Sequence, residues 1–147
     1  MKKILIVNGP NINILGAREP KIYGNITLAE IEKELSLLAK KLNVEVDFFQ
    51  SNHEGEIIDK IQSSVNTVSG IIINPAAFTH TSIAIRDALS SVSTPTIEVH
   101  ISNIYAREEF RHKSYVAPIA LGQIAGLGTD GYIFALKKLA SLAQTFN

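Results

Sequence analysis

The amino-acid sequence predicts a doubly wound α/β domain on a five-stranded parallel sheet in the order 2-1-3-4-5. Three observations carry this reading. Short β-branched runs alternate with helical patterns along the chain. Residues 4–7 (ILIV) and 70–73 (GIII) are continuously apolar, as strands covered on both faces must be. The 147 residues, nearly half of them apolar, can bury the core of a single domain spanning residues 1–147, with no repeat, linker or low-complexity tract to divide it.

Residues 4–7 are the first strand. Leu28, Ile31, Leu35, Leu38 and Leu42 then recur at steps of three and four, the spacing of an amphipathic helix. Thr27 with Glu30 makes a capping box at its start. Residues 44–49 are the second strand. Ser51 with Glu54 reads as another capping box, ahead of a helix carrying Ile57, Ile58, Ile61 and Val65. Residues 70–73 form the third strand, 81–91 a helix and 95–99 the fourth strand. Residues 105–110 suggest a short helix, 116–121 a weaker fifth strand, and 131–144 the closing helix. Right-handed crossovers between parallel strands favour a flavodoxin-like sheet. Residues 8–25 break the alternation, and connections of that length are usually lids or binding loops.

Composition removes several function classes. Fourteen basic and fourteen acidic residues leave no electrostatic footprint for nucleic acid or an anionic membrane, and they are compatible with self-assembly. The absence of cysteine excludes disulfides and thiolate metal sites, and no histidine spacing suits a metal. The apolar run after Met1-Lys2-Lys3 stops at Asn8-Gly9-Pro10, too soon for a signal peptide, and no segment is long enough to span a bilayer. A cytoplasmic protein is expected. Neither the dinucleotide glycine fingerprint nor the P-loop occurs, and the first strand ends in neither a flavin phosphate loop nor an acidic pair.

In such a sheet, ligands bind beyond the carboxyl ends of the strands. The first strand ends in Asn8-Gly9-Pro10-Asn11, the third in Asn74-Pro75 through Thr79-His80, and the fourth in His100-Ile101-Ser102-Asn103. Strand order 2-1-3-4-5 puts these clusters on one rim. Asn-Gly-Pro can equally be turn chemistry. Two of the four histidines at predicted strand ends are harder to explain that way. Glu98 and His100 project to one face of a strand, where the carboxylate could orient the imidazole and favour its protonated form, or simply make a structural hydrogen bond. Arg18 and Tyr23 share the long loop. Each alone is an ordinary surface residue. As a pair, a guanidinium beside a phenol favours the phenolate, a base suited to removing a proton next to a carbonyl.

These clusters together resemble the type II 3-dehydroquinate dehydratases. The likeness runs through Asn8-Gly9-Pro10-Asn11, Arg18-Glu19-Pro20 with Tyr23-Gly24, Asn74-Pro75 through His80-Thr81-Ser82, and Glu98-Val99-His100-Ile101-Ser102-Asn103. Arg107-Glu108, Phe110-Arg111, Ser114-Tyr115, Gly126-Leu127-Gly128 and Gly131-Tyr132 extend it over essentially the whole chain. The resemblance implies a cofactor-free, metal-free enzyme of the shikimate pathway of aromatic amino-acid biosynthesis, dehydrating 3-dehydroquinate to 3-dehydroshikimate by anti elimination through an enolate. It implies Tyr23 as base, Arg18 as its activator, and His100 as general acid with Glu98 behind it. Asn11 would stabilise the enolate through water. Asn74 and the backbone amides of Ile101 and Ser102 would hold the substrate carboxylate, and His80 and Arg111 the ring hydroxyls. Asp87 would reach the site of a neighbouring subunit in a trimer, four of which pack into a dodecamer. No catalytic role falls on Ile12, Asn13, Ile14 or Leu15. Many relatives have glycine where this chain has Ala76, whose methyl group is expected to tighten the turn presenting His80. The competing classes are another small-molecule lyase or isomerase on the same rim, and a non-catalytic binding module.

Overall fold

In the computed structural model, which describes residues 1–17 and 19–145, five strands alternate with helices. The strands are β1 (Lys3–Asn8), β2 (Glu45–Gln50), β3 (Gly70–Asn74), β4 (Thr96–His100) and β5 (Gly122–Ala125). The helices are α1 (Pro20–Tyr23), α2 (Leu28–Lys41), α3 (Glu54–Ser63), α4 (Ile83–Val92) and α5 (Asp130–Thr145). All strand pairs are parallel and the order is β2-β1-β3-β4-β5, the predicted flavodoxin-like arrangement.

Strand alternation divides the core in two. Ile4, Ile6, Ile72, Ile97 and Val99 face α2 and α5, packing on Ile31, Leu35, Leu136 and Leu139. Leu5, Val7, Ile71 and Ile73 face the other way, onto Ile57 and Ile61 of α3 and Ile85 and Leu89 of α4. Both faces are thus dry, which explains the unbroken apolar runs. Since Ile97 and Val99 belong to the first core, Glu98 and His100 point to the second face. No helix among the described residues is long and apolar enough to cross a membrane.

The Thr27 capping box is present in both directions: Glu30 N–H donates to Thr27 Oγ1 (3.2 Å), and Thr27 N–H to the Glu30 carboxylate (3.1 Å). The second predicted box is not. His53 is the N-cap of α3, without a side-chain bond. Ser51 instead accepts from His53 N–H (2.9 Å) and donates to Glu56. The local turn uses up the Ser51 oxygen, and Glu54 becomes the first helical residue, where its charge meets the helix dipole. Helix α4 starts at Ile83, two residues later than expected, because Ser82 caps it by accepting from Ile85 N–H at 2.9 Å.

The fifth strand is also displaced. Residues Ala117–Ile119 form a 3₁₀ turn, and pairing with β4 begins at Gly122. Pro118 has no N–H to give a ladder. In place of one short helix at 105–110 there are two 3₁₀ turns, Ile104–Ala106 and Glu109–Arg111. The long segment after β1 holds a 3₁₀ turn at Ile12–Ile14 and the short helix α1.

Ala76 lies at φ 52°, in the left-handed region. An L-residue there costs about 1–2 kcal/mol. Glycine relieves that strain, but it loses a half-buried methyl group and about 0.4–1 kcal/mol to the entropy of the unfolded chain. Ala76→Gly should therefore leave stability unchanged to within about 0.5 kcal/mol, where Ala→Gly in a helix costs about 1. Urea unfolding checks this, and a loss of about 1 kcal/mol or more would show that methyl packing outweighs the strain.

Candidate active site

The carboxyl ends of β1, β3 and β4 open into one cleft, lined by Asn11, Tyr23, Asn74, His80, His100, Ile101, Ser102, Arg107 and Arg111 among others. A second cleft, at the opposite ends of β1 and β2, is bordered by residues such as Met1, Lys3, Ala39, Val44 and Glu45, and brings no imidazole or phenol together.

His100 ends β4 and is 5% exposed. Its Nε2 lies 3.4 Å from Glu98 Oε1, close enough for charge attraction but without an aligned hydrogen bond. Glu98 is completely buried. Its carboxylate accepts from the hydroxyls of Thr79 and Ser114 (the latter at 2.6 Å) and from the Gln123 amide. Burial opposes ionisation of Glu98, but the His100 imidazole, then the Ser114 and Thr79 hydroxyls, outweigh it and hold the carboxyl below its ordinary pKa. A fixed negative charge thus backs the imidazole.

His80 closes the turn Ala76–His80, and its ring lies nearly parallel to that of His100 with centroids 6.3 Å apart. Burial lowers its pKa, and the charges of His100 and Arg111 add to this against the raising effect of the Lys113 carbonyl. A carbonyl only accepts, so Nδ1–H of a neutral His80 donates to Lys113 O at 2.8 Å, which leaves Nε2 as an acceptor.

Asn74 is fixed from behind. Its Nδ2 donates to the Tyr132 hydroxyl (2.8 Å), which donates to Asn8 Oδ1 (2.6 Å), and its own Oδ1 accepts from Ala76 N–H (3.1 Å). Burial pushes the Tyr132 phenol far above its ordinary pKa, so it stays a neutral donor. The carbonyls of His100 and Ile101 accept from the Gly126 and Gly128 amides (3.3 and 3.1 Å), which pins the backbone carrying Ile101 and Ser102.

Tyr23 is half-buried at the end of α1. Its hydroxyl oxygen accepts from Arg107 Nη1 at 2.7 Å, and the guanidinium carbon lies 5.4 Å from the ring centroid. Arg107 Nη1 also reaches Ser102 Oγ at 3.3 Å. Arg111 is paired with Glu108 at 2.6 Å.

The cleft therefore gathers Asn11, Tyr23, Asn74, His80, His100, Ile101, Ser102 and Arg111 from the expected set. Glu98 does not line the cleft and lies behind His100, 3.4 Å from its Nε2. Asp87 is exposed on α4 and does not line the cleft of its own chain. Arg18 lies outside the described residues. Sequence reasoning assigned no role to Arg107, Tyr132, Thr79, Ser114 or Gln123. Arg107 and Tyr23 are 84 positions apart, and no local pattern signals such a contact.

Fold and cleft together define a flavodoxin-like α/β protein whose strand ends gather a phenol, two imidazoles and two guanidinium groups in one cleft. The chain matches the family described as dehydroquinase class II over residues 2–140. It is 78% identical over 142 residues to a 3-dehydroquinate dehydratase of Endomicrobium trichonymphae, covering 97% of this chain and 99% of the relative. The crystal structure of the type II dehydroquinase from Butyrivibrio crossotus superposes with a TM-score of 0.92 at 54% identity, covering 94% of this chain and 97% of that one. The type II dehydroquinase from Propionibacterium acnes gives a TM-score of 0.93 at 45% identity over 96% and 97% of the two chains. The chain belongs to the class II dehydroquinase family, whose members are hydro-lyases.

Proposed function

We propose that the chain acts as one catalytic domain that dehydrates 3-dehydroquinate to 3-dehydroshikimate by anti elimination through an enolate. The observation that carries this reading is the meeting, in one cleft, of a phenol bonded to a guanidinium and an imidazole backed by a buried carboxylate. The names of the relatives supply the substrate and the dehydration, and the family resemblance adds a place in the shikimate pathway.

Tyr23, as phenolate, takes a proton from the carbon beside the ketone. Arg107 stabilises the negative charge on the phenol oxygen, a part that the sequence reading gave to Arg18 alone. The electrons of the broken C–H bond move to the carbonyl oxygen as an enolate, which Asn11 stabilises through water. The enolate collapses, the hydroxyl leaves, and protonated His100 gives it the proton that makes water. Glu98 stabilises the imidazolium before transfer. Neutral His80 and cationic Arg111 hold ring hydroxyls. Asn74 and the amides of Ile101 and Ser102 hold the substrate carboxylate. Each step uses a side chain or the substrate itself, with no cofactor or metal. Within segment 8–25, Asn8, Ile12 and Leu15 are buried, and the outer part that carries α1 and Tyr23 closes over the substrate and excludes water.

Purified protein mixed with 3-dehydroquinate and no added cofactor should generate the ultraviolet absorbance of an enone. Absence of that signal at any enzyme concentration would refute the reading.

The same reading gives a cytoplasmic dodecamer built from four trimers, with Asp87 entering a neighbour's cleft. The assembly rests on the resemblance, and the exposed position of Asp87 on α4, outside its own cleft, leaves that carboxylate available to a neighbour. Tyr23→Phe and Asp87→Ala chains, each inactive alone, should regain activity when mixed and reassembled, because some mixed trimers hold intact sites. Failure to complement would make Asp87 a residue of its own helix surface.

A further inference from the structure

Asn11 sits at φ 69°, ψ −4°, a left-handed conformation that asparagine tolerates better than most residues but does not adopt without help. Its own side chain makes no capping bond. The help comes from the far edge of the sheet. Asn11 N–H donates to Asn52 Oδ1 at 3.0 Å. Gln50, the last residue of β2, donates through Nε2 to Gly9 O at 3.1 Å and to Asn52 Oδ1 at 3.2 Å, and lies 3.5 Å from Asn13 Oδ1. Gln50 is itself placed by the register of β2 on β1, where it pairs with Asn8, and Ser51 N–H continues that ladder onto Asn8 O at 3.1 Å.

The backbone decides which end of each amide points where. Asn11 N–H can only donate, so Asn52 must present oxygen. Gly9 C=O can only accept, so Gln50 must present nitrogen. The result is a two-residue clasp across the start of the loop.

We infer that Gln50 and Asn52 are positioning residues for the dehydration reaction, holding Asn11 at the orientation in which it stabilises the enolate. Neither lines the cleft or reaches the reacting atoms. The inference rests on the reading that Asn11 acts on the enolate. Loss of the clasp lets the loop backbone relax by an ångström or so, and displacements of that size at a reacting group can cost up to about 100-fold in rate.

Donor and acceptor roles make the test asymmetric. Asn52→Asp keeps an acceptor for Asn11 N–H and for Gln50. Asn52→Leu removes it. Gln50→Glu keeps shape but turns acceptors onto Gly9 O and Asn52 Oδ1. With the enone absorbance assay, Asn52→Asp should keep kcat close to the parent's. Asn52→Leu and Gln50→Glu should lose kcat by up to about 100-fold, with KM little changed. Asn52→Leu combined with Asn11→Ala should be no slower than Asn11→Ala alone, because the clasp acts through that side chain. Asn52 is exposed, so its variants keep the core, and circular dichroism melts verify this. Should Gln50→Glu fail to fold, the Asn52 series decides alone. Parental kcat in Asn52→Leu, with a slow Asn11→Ala, would overturn the clasp and leave the role of Asn11 intact. An Asn52→Asp as slow as Asn52→Leu would also overturn it. Parental kcat in Asn11→Ala would overturn the underlying reading of Asn11 and the inference with it.

Discussion

A Tyr23→Phe variant is expected to fold and to bind substrate analogues, yet to turn over 3-dehydroquinate about 100- to 10,000-fold more slowly, the range lost with a positioned general base. The substitution removes one oxygen and little volume. The ring belongs to the margin of the first core, and its packing there is kept. What is lost is the atom that accepts from Arg107 Nη1 at 2.7 Å. The guanidinium keeps its contact with Ser102 Oγ, so the local fold has a second anchor. Steady-state rates from enone absorbance, together with a far-ultraviolet circular dichroism melt, separate loss of chemistry from loss of structure. Turnover within a few-fold of the parent would remove Tyr23 from the mechanism.

The largest effect on stability is expected from Gly9→Ala. A β-carbon built at Gly9 falls 2.4 Å from Pro75 O and 2.7 Å from Pro75 C. Both are backbone atoms and cannot swing aside. Gly9 N–H also donates to Asn74 O at 2.8 Å, which ties β1 to β3 where the clash would occur. Overpacking of this kind costs about 1–3 kcal/mol. The strain would be passed to the turn from Asn74 through Ala76, which is already in the left-handed region and carries His80 onward into the cleft. The urea midpoint should fall with the slope unchanged, and the folded fraction should turn over more slowly than the parent. An unchanged midpoint would mean that the two loops can separate without cost.

Gly9 also shows what a local pattern leaves out. Asn8-Gly9-Pro10 reads equally as turn chemistry or as part of a ligand-holding cluster, and a turn is there, with Ile12 N–H donating to Gly9 O at 3.4 Å. Beyond the turn, glycine is required by the close approach of the Pro75 backbone, which no local pattern announces. The sheet was legible because burial on both faces forces unbroken apolar runs in β1 and β3. The fifth strand was misplaced because Val116 is apolar for another purpose. It is fully buried in the second core, yet it precedes a 3₁₀ turn. The true β5 is a short edge strand of sequence GQIA, with few residues of strong strand preference. The rim residues were legible because strand ends are ligand positions in this architecture. Their support was not. The Gln123 amide on Glu98 and the Arg107 guanidinium on Tyr23 bridge 25 and 84 positions, and such pairs exist only once the sheet has brought them together.

The bond from Tyr132 to Asn8 spans 124 positions, and this has a consequence for the chain as it is made. Asn8 leaves the ribosome early and Tyr132 late. At about 5–20 residues per second, the interval between them is roughly 6–25 s. Through that time Asn8, and from its own synthesis Asn74, has only water where the phenol will sit, and the carbonyls of His100 and Ile101 await Gly126 and Gly128 once they are made. The ligand-holding rim acquires its final shape only when the last helix docks and covers β1, β3 and β4. A stalled or shortened chain ending before residue 132 would thus lack both the phenol behind the cleft and the α5 side chains, Leu136 and Leu139 among them, that cover the first face of the sheet.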